Sequence, residues 1–352
     1  MIRATWLHAN GLDAWWGHTH ALARRGAEDH FSSALHARAW SDLGEGERWL
    51  EAAREAGASS DVVFVCDAAV EPLVAEVAEE FPAVRFVHCQ GRRPTENVSV
   101  YRAARDQHAF VSGMLAGAAT RSGVIAAIEG MPSPHDRRFT GAWVLGARAT
   151  RADVRVLVEW VGSYRAHDQD ERERTAVERV RAAGADVVGG NLTENPAAVR
   201  AALEAGLRVS GHDPRDAGVL GILDCAFLDW TPFVIDVIER VRAGRAIPSD
   251  RCLRASDGVV RNSAPAADLP VAARDAVDRV SPALAAGRFD IWAGPLRDSG
   301  GRLRVADGES LAGGVTEPRD APSARERYLD SPAFDWFPEG VIELPPLGRP
   351  LG

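Results

Sequence analysis

The 352-residue chain carries a formal net charge of −9, with 46% hydrophobic and 26% charged residues; that balance is globular and excludes a disordered or fibrous protein. Every basic residue is arginine, scattered among acids, so no basic field is present to draw a nucleic-acid backbone. Without lysine, Schiff-base chemistry, pyridoxal phosphate anchoring and the P-loop lysine are excluded as well.

The length exceeds the usual size of one core and points to two domains. No apolar stretch approaches the roughly 18–20 residues that span a bilayer, so no direct membrane span is expected. The start, Met1-Ile-Arg-Ala-Thr-Trp-Leu-His8, lacks the pattern of a secretory signal. The expectation is a cytoplasmic protein if Met1 is the native start, and an extracytoplasmic one if a leader has been removed. Cys66, Cys89, Cys225 and Cys252 form no CxxC pair and no zinc-ligand spacing, and read as free thiols.

In chain order, short runs at 2–8, 35–40, 62–66 and 84–89 read as strands. An amphipathic helix lies between the last two, at 71–81, where Leu73, Val74, Val77 and Phe81 recur at helical spacing. After a helix at 107–119 the rhythm restarts, with strands at 123–128, 155–161, 186–190 and 207–210 around helices at 138–148, 171–183 and 196–205. A strand-like run at 218–223 precedes helices at 230–242 and 271–286; strands at 289–296 and 302–305 then flank an Asp-Ser-Gly-Gly turn. Residues 317–323 read as a Pro-rich loop and Phe334-Asp-Trp-Phe337 as an apolar-aromatic close.

This alternation predicts an α/β chain of two doubly wound Rossmann-like lobes with a ligand cleft between them. The expected division is 1–119 plus about 225–250 for the first lobe and 120–224 plus about 251–310 for the second. Residues 311–352 form a C-terminal extension packing on the lobes, and the crossings fall near 119–123 and 223–229. Ligands of such sheets sit beyond the carboxyl ends of the strands, so the loops after His8, Cys66, Cys89, Ile128, Val161, Gly190 and Ser210 carry the candidate site.

The segments Phe81-Pro-Ala-Val-Arg-Phe86, Glu96-Asn-Val-Ser-Val-Tyr101, Gly113-Met-Leu-Ala-Gly117, Leu145-Gly-Ala-Arg148, Gly184-Ala-Asp-Val-Val188, Trp292-Ala-Gly-Pro-Leu-Arg-Asp298 and Asp335-Trp-Phe-Pro-Glu-Gly340 follow one another along the chain. In this shared order they resemble the basic membrane protein family, the substrate-binding proteins of nucleoside ABC importers. The resemblance implies the type I periplasmic-binding-protein fold, closure around a purine nucleoside, nucleobase or related heterocycle, and an ABC permease partner. It carries over to Asp13-Ala-Trp15-Trp16, whose aromatic would flank a base, and to Asn97, Tyr164 and Asp213 as polar or aromatic contacts; Asp67, Glu194 and Asp229 are further ligand-binding candidates. Two positions depart from the family's pattern: Cys66-Asp67-Ala68 stands where relatives carry an aromatic, and Gln107 where a glutamate is frequent.

The residues support this chemistry, since tryptophan and tyrosine offer flat faces for a purine and a buried acid makes charge-assisted bonds to ligand donors. Local readings compete with it. Trp15 or Trp16 can staple the first helix to the core, and Tyr101 belongs to the core. Asp213 sits in a turn-forming Gly211-His-Asp-Pro segment. Glu194 and Asp229 each precede a helix and can act as caps.

His8, Cys66, His88, Cys89, His135 and His212 all fall near strand ends, where imidazole and thiol could transfer protons or attack. The alternative function is therefore a cytoplasmic enzyme or ligand sensor on the same fold, using Cys66, His88, Cys89 and His212. A nucleotide-cofactor oxidoreductase is disfavoured, because the first strand leads into Ala9-Asn-Gly-Leu-Asp13 and not a glycine fingerprint. Neither a cofactor nor a metal is expected.

Overall fold

The structure, a computed structural model, describes residues 1–12, 15–164, 166–311 and 334–347, without the side chain of Glu194. Asp13 and the loop at 317–323 lie outside the described residues. The first strands are β1 (Ile2–Leu7), β2 (Leu35–Trp40), β3 (Val62–Val65), β4 (Arg85–Cys89), β5 (Val98–Ala103), β6 (Val124–Glu129), β7 (Arg155–Trp160) and β8 (Val187–Gly189). They are followed by β9 (Arg208–Gly211), β10 (Ile222–Leu228), β11 (Asp250–Leu253), β12 (Val260–Asn262), β13 (Leu296–Arg297), β14 (Leu303–Val305) and β15 (Val341–Glu343). The helices are α1 (Trp15–Phe31), α2 (Glu47–Ser59), α3 (Glu71–Glu80), α4 (Arg105–Ala119), α5 (Pro134–Thr150), α6 (Gln169–Ala182), α7 (Pro196–Glu204), α8 (Thr231–Arg242) and α9 (Val271–Ala285).

The chain forms two compact units, Met1–Ala103 with Leu228–Val259, and Ala104–Phe227 with Val260–Gly352. The first holds a sheet in the order β11-β5-β4-β3-β1-β2, the second a sheet in the order β12-β10-β9-β8-β6-β7-β15. The central pairings of both are parallel. Strands buried on both faces need near-continuous apolar runs, as in Val62-Val-Phe-Val65, and such sheets are covered by helices on both sides.

Unit membership differs from the expected boundaries at two elements. Helix α4 belongs to the second unit because it packs backbone to backbone on α5. A Cβ at Gly113 would come 2.0 Å from the Trp143 carbonyl oxygen, and one at Gly146 2.0 Å from that of Phe110. Only glycine permits so close an approach. Strand β11 belongs to the first unit because it extends that sheet beside β5, with Asp250 opposite Val100.

Two expected strands change. Within 218–223, Gly218 and Gly221 take left-handed backbone and the strand begins only at Ile222. Val219 and Leu220 form an exposed turn, so their apolar character misled the periodicity. Within 289–296 only Leu296 joins a strand, while Ile291 and Trp292 are buried beside α4 and α5 without a ladder of their own. Among the described residues no helix is long and apolar enough to cross a membrane.

Candidate functional site

Counted within each unit, both sheets repeat one order. β2-β1-β3-β4-β5 in the first corresponds to β7-β6-β8-β9-β10 in the second. Such an order reverses between its first and third strands, and ligands bind outside the carboxyl ends at that point. The residues to examine are therefore those following β1 and β3, and those following β6 and β8.

In the first unit, the Cys66-Asp67 step at the end of β3 holds both ends of the loop that follows β1. The Asp67 carboxylate accepts the backbone N–H of Ala9 at 2.7 Å and the Asn10 amide at 2.5 Å. The Cys66 carbonyl accepts the indole N–H of Trp16 at 2.7 Å. His88, at the end of β4, lies 2.9 Å through Nε2 from the Asp67 carbonyl oxygen. Trp16 is half-buried, whereas Trp15 is buried in the core. The indole of Trp16 meets the rings of His20 and Trp230 edge-on, and those two stack at 5.2 Å with 11° between their planes. Four of the expected residues, Trp16, Cys66, Asp67 and His88, thus come together.

In the second unit the switch point is built around Glu129, the last residue of β6. Its Oε2 accepts the backbone N–H of Asn191 at 3.2 Å and its Oε1 accepts the Thr140 hydroxyl at 2.5 Å. Gly190 makes room for it: its φ is 101°, and a Cβ there would lie 2.5 Å from the Ile128 carbonyl oxygen. Burial, reinforced by the neighbouring Asp136 carboxylate, lifts the Glu129 carboxyl to about 8. Asp136 Oδ1 accepts from the Tyr164 hydroxyl at 2.6 Å and from Asn191 Nδ2 at 2.9 Å, while Oδ2 accepts from Ser133 at 2.6 Å.

The remaining expected residues have local partners. Asn97 precedes β5, at the amino edge of its sheet. Its Nδ2 donates to the carbonyls of Ala78, Phe81 and Val84 and so closes the end of α3. Asp213 follows β9 and caps a short 3-10 turn, with its carboxylate on the N–H and guanidinium of Arg215. Asp229 Oδ1 accepts the Thr231 N–H at 3.1 Å at the start of α8. Glu194 falls in the 3-10 turn Asn191–Glu194.

The groups named for catalysis are held as neutral packing groups. Burial pushes the Cys66 and Cys89 thiols up and the His88 imidazole down. His212 is lowered to about 3 by burial and by the Arg105 guanidinium, with its ring set between the carbonyls of Ala226 and Gly190. A nucleophile needs a lowered thiol or an adjacent base that can take its proton; Cys66 Sγ lies 3.9 Å from His8 Nε2, itself lowered to about 4 by burial. Among the described residues no cluster of three or more His, Cys, Asp or Glu is arranged to hold a metal ion.

Sequence reasoning passed over Glu129, Asp136 and Asn191. Two of them left a trace. Ser133-Pro-His-Asp136 is a helix-start pattern, in which the Ser133 side chain accepts the Asp136 N–H. Glu129 ends an otherwise apolar strand, where a charge needs a reason.

Two doubly wound parallel sheets with polar groups at both switch points define an α/β ligand-binding protein of the type I periplasmic-binding-protein class. A family model for PnrA-like ABC transporter substrate-binding proteins, the Bmp family, matches residues 15–217, more than half of the chain, and the chain belongs to that family. A purine-binding protein of Brucella abortus is 23% identical over 306 residues, 84% of each chain. A putative ABC transporter glucose-binding protein of Haloferax volcanii is 27% identical over 250 residues, 69% of this chain and 62% of that one. Among solved structures, an ABC transporter solute-binding protein from Conexibacter woesei superposes with a TM-score of 0.64 at 20% identity, over 82% of this chain and 98% of that one.

Proposed function

We propose that this Bmp-family solute-binding protein takes a purine nucleoside, a nucleobase or a related small heterocycle and delivers it to an ABC permease. The observation that carries the reading is Trp16. Its ring is half-exposed at the carboxyl edge of the first sheet, with its N–H tied to the Cys66 carbonyl and the rings of His20 and Trp230 in T-shaped contact with it. An indole held in one orientation offers a flat apolar face without loss of side-chain freedom on binding, which suits a planar base. Tyr164 and Asp213 supply polar groups at the second sheet's carboxyl edge, and the purine-binding relative supports the ligand class.

A sugar is the second reading, favoured by the relative named as glucose-binding and by the fact that a tryptophan face also packs on a pyranose. Calorimetry with inosine, guanosine, hypoxanthine and glucose separates the two. Binding of a purine compound with quenched tryptophan emission is expected, whereas binding of glucose alone would replace the purine reading. Mass spectrometry of the recovered ligand should return it unchanged; its conversion would establish the enzyme alternative.

A further inference from the structure

We infer that Asp136 is a positioning residue that turns Tyr164 and Asn191 into hydrogen-bond acceptors, so that the second unit's strand ends select a ligand presenting N–H or O–H donors. This rests on the reading of those strand ends as ligand-contacting.

The inference follows from proton counting. The Tyr164 hydroxyl has one proton and gives it to Asp136 Oδ1 at 2.6 Å, so any other partner meets its oxygen as an acceptor. The Asn191 side chain turns its NH₂ to the same oxygen at 2.9 Å, which leaves Oδ1 as its other end. Asn191 is 1% exposed, and its Oδ1 has no donor within hydrogen-bond distance among the described residues. Native structures seldom leave a buried acceptor unmet, and one beside a switch point suits a group supplied from outside the protein. Asp136 is itself held, with Ser133 donating to Oδ2 at 2.6 Å and accepting its backbone N–H at 3.1 Å. Glu129 fixes the backbone of Asn191 from below. Three loops, after β6, β7 and β8, are thereby locked with one hydrogen-bond polarity.

The test is a double-mutant cycle on affinity, run by calorimetry with inosine, guanosine and glucose on wild type, Asp136→Ala, Tyr164→Phe and the double variant. Asp136→Ala is expected to weaken the bound compound at least tenfold, and to weaken it clearly less once Tyr164 is Phe, the remaining loss acting through Asn191. Losses that multiply would overturn the inference. The polarity is tested with N1-methylinosine, 2′-deoxyinosine and 3′-deoxyinosine: at least one missing donor should weaken wild type tenfold and Asp136→Ala hardly at all. Equal losses in both proteins would also overturn it. Asp136→Asn, which keeps an acceptor oxygen and the side-chain shape, should restore part of the affinity and serves where the alanine variant fails to fold. Independently of any ligand, the ring-carbon Cζ NMR signal that disappears in Tyr164→Phe should shift in Asp136→Asn; an unchanged signal would refute the positioning. If glucose binds and the nucleosides do not, the purine reading falls, and the cycle on glucose decides the positioning separately.

Discussion

The Glu129 side chain, at the end of β6, accepts the backbone N–H of Asn191 at 3.2 Å and so ties the strand to the turn after β8. Its carboxyl is raised to about 8 by burial and by Asp136. In the fold it keeps a proton that the unfolded chain releases near the ordinary glutamate value of 4.5. Its contribution to stability is therefore full below 4.5 and is lost as pH rises toward 8. Glu129→Gln should remove this loss: between pH 5 and 8, urea unfolding should show wild type falling relative to the variant by on the order of 3–4 kcal/mol, given about 1.4 kcal/mol per pKa unit. Parallel curves would show that Glu129 is ionised in the fold.

Asp224, buried on β10, is lifted to about 6 by burial, against the pull of its bonds from Ser112 at 2.6 Å and Asn262 at 2.8 Å. Both donors favour the charged form. Ser112→Ala removes one, so the variant should be destabilised by roughly 1–2 kcal/mol at pH 8, where the carboxylate is charged. At pH 5 the loss should be smaller. Chemical denaturation at the two values tests this, and an equal loss at both would assign Ser112 to packing alone.

His20 lies stacked on Trp230 and is held well below its ordinary value by burial, and His8 is lowered to about 4 for the same main reason. Groups depressed in the fold contribute stability above the unfolded value of 6.5 that is lost as pH falls. Wild type should lose thermal stability from pH 6.5 toward 4, and His20→Phe should flatten part of that limb. A variant as acid-sensitive as wild type would exclude His20.

Trp15 and Trp16 are neighbours with different tasks. Trp16→Ala should lower affinity for the bound heterocycle by roughly 1–3 kcal/mol if it stacks on a base. Trp15→Ala, which empties a buried site, should cost about 3–5 kcal/mol of stability. Calorimetry and denaturation on both variants separate the roles; intact affinity in Trp16→Ala would remove the stacking assignment.

The Asp213 carboxylate is engaged by Arg215. A ligand donor that binds Asp213 must compete with that guanidinium. Asp213→Asn should weaken binding at least tenfold, about 1.4 kcal/mol, and Arg215→Ala should tighten it. If neither changes affinity, Asp213 is only the cap of its turn.

The α/β alternation was legible in the sequence because buried parallel strands require short unbroken apolar runs, and helices between them require a 3.6-residue period. The run Val62-Val-Phe-Val65 satisfies one rule and 71–81 the other. The same periodicity failed at 218–223 and 289–296, where apolar residues serve an exposed turn and an irregular buried segment. That Trp16, Asp67 and Tyr164 follow strands could be read there, because position after a strand is a local property. Their partners could not. Asn97 precedes β5, at the amino edge of the sheet and away from the strand ends of the expected site, where its side chain closes α3.

The sequence by itself determined the class of fold, the absence of lysine chemistry and the aromatic residues near the strand ends. The tertiary structure alone decided that α4 joins the second unit, since backbone contact at Gly113 and Gly146 depends on how two helices distant in sequence pack. It alone decided too that Glu129, Asp136 and Asn191 form one network. Those side chains stand 55 and 62 residues apart in their hydrogen-bonded pairs, and a hydrogen bond exists only where folding brings donor and acceptor within about 3 Å with their dipoles aligned.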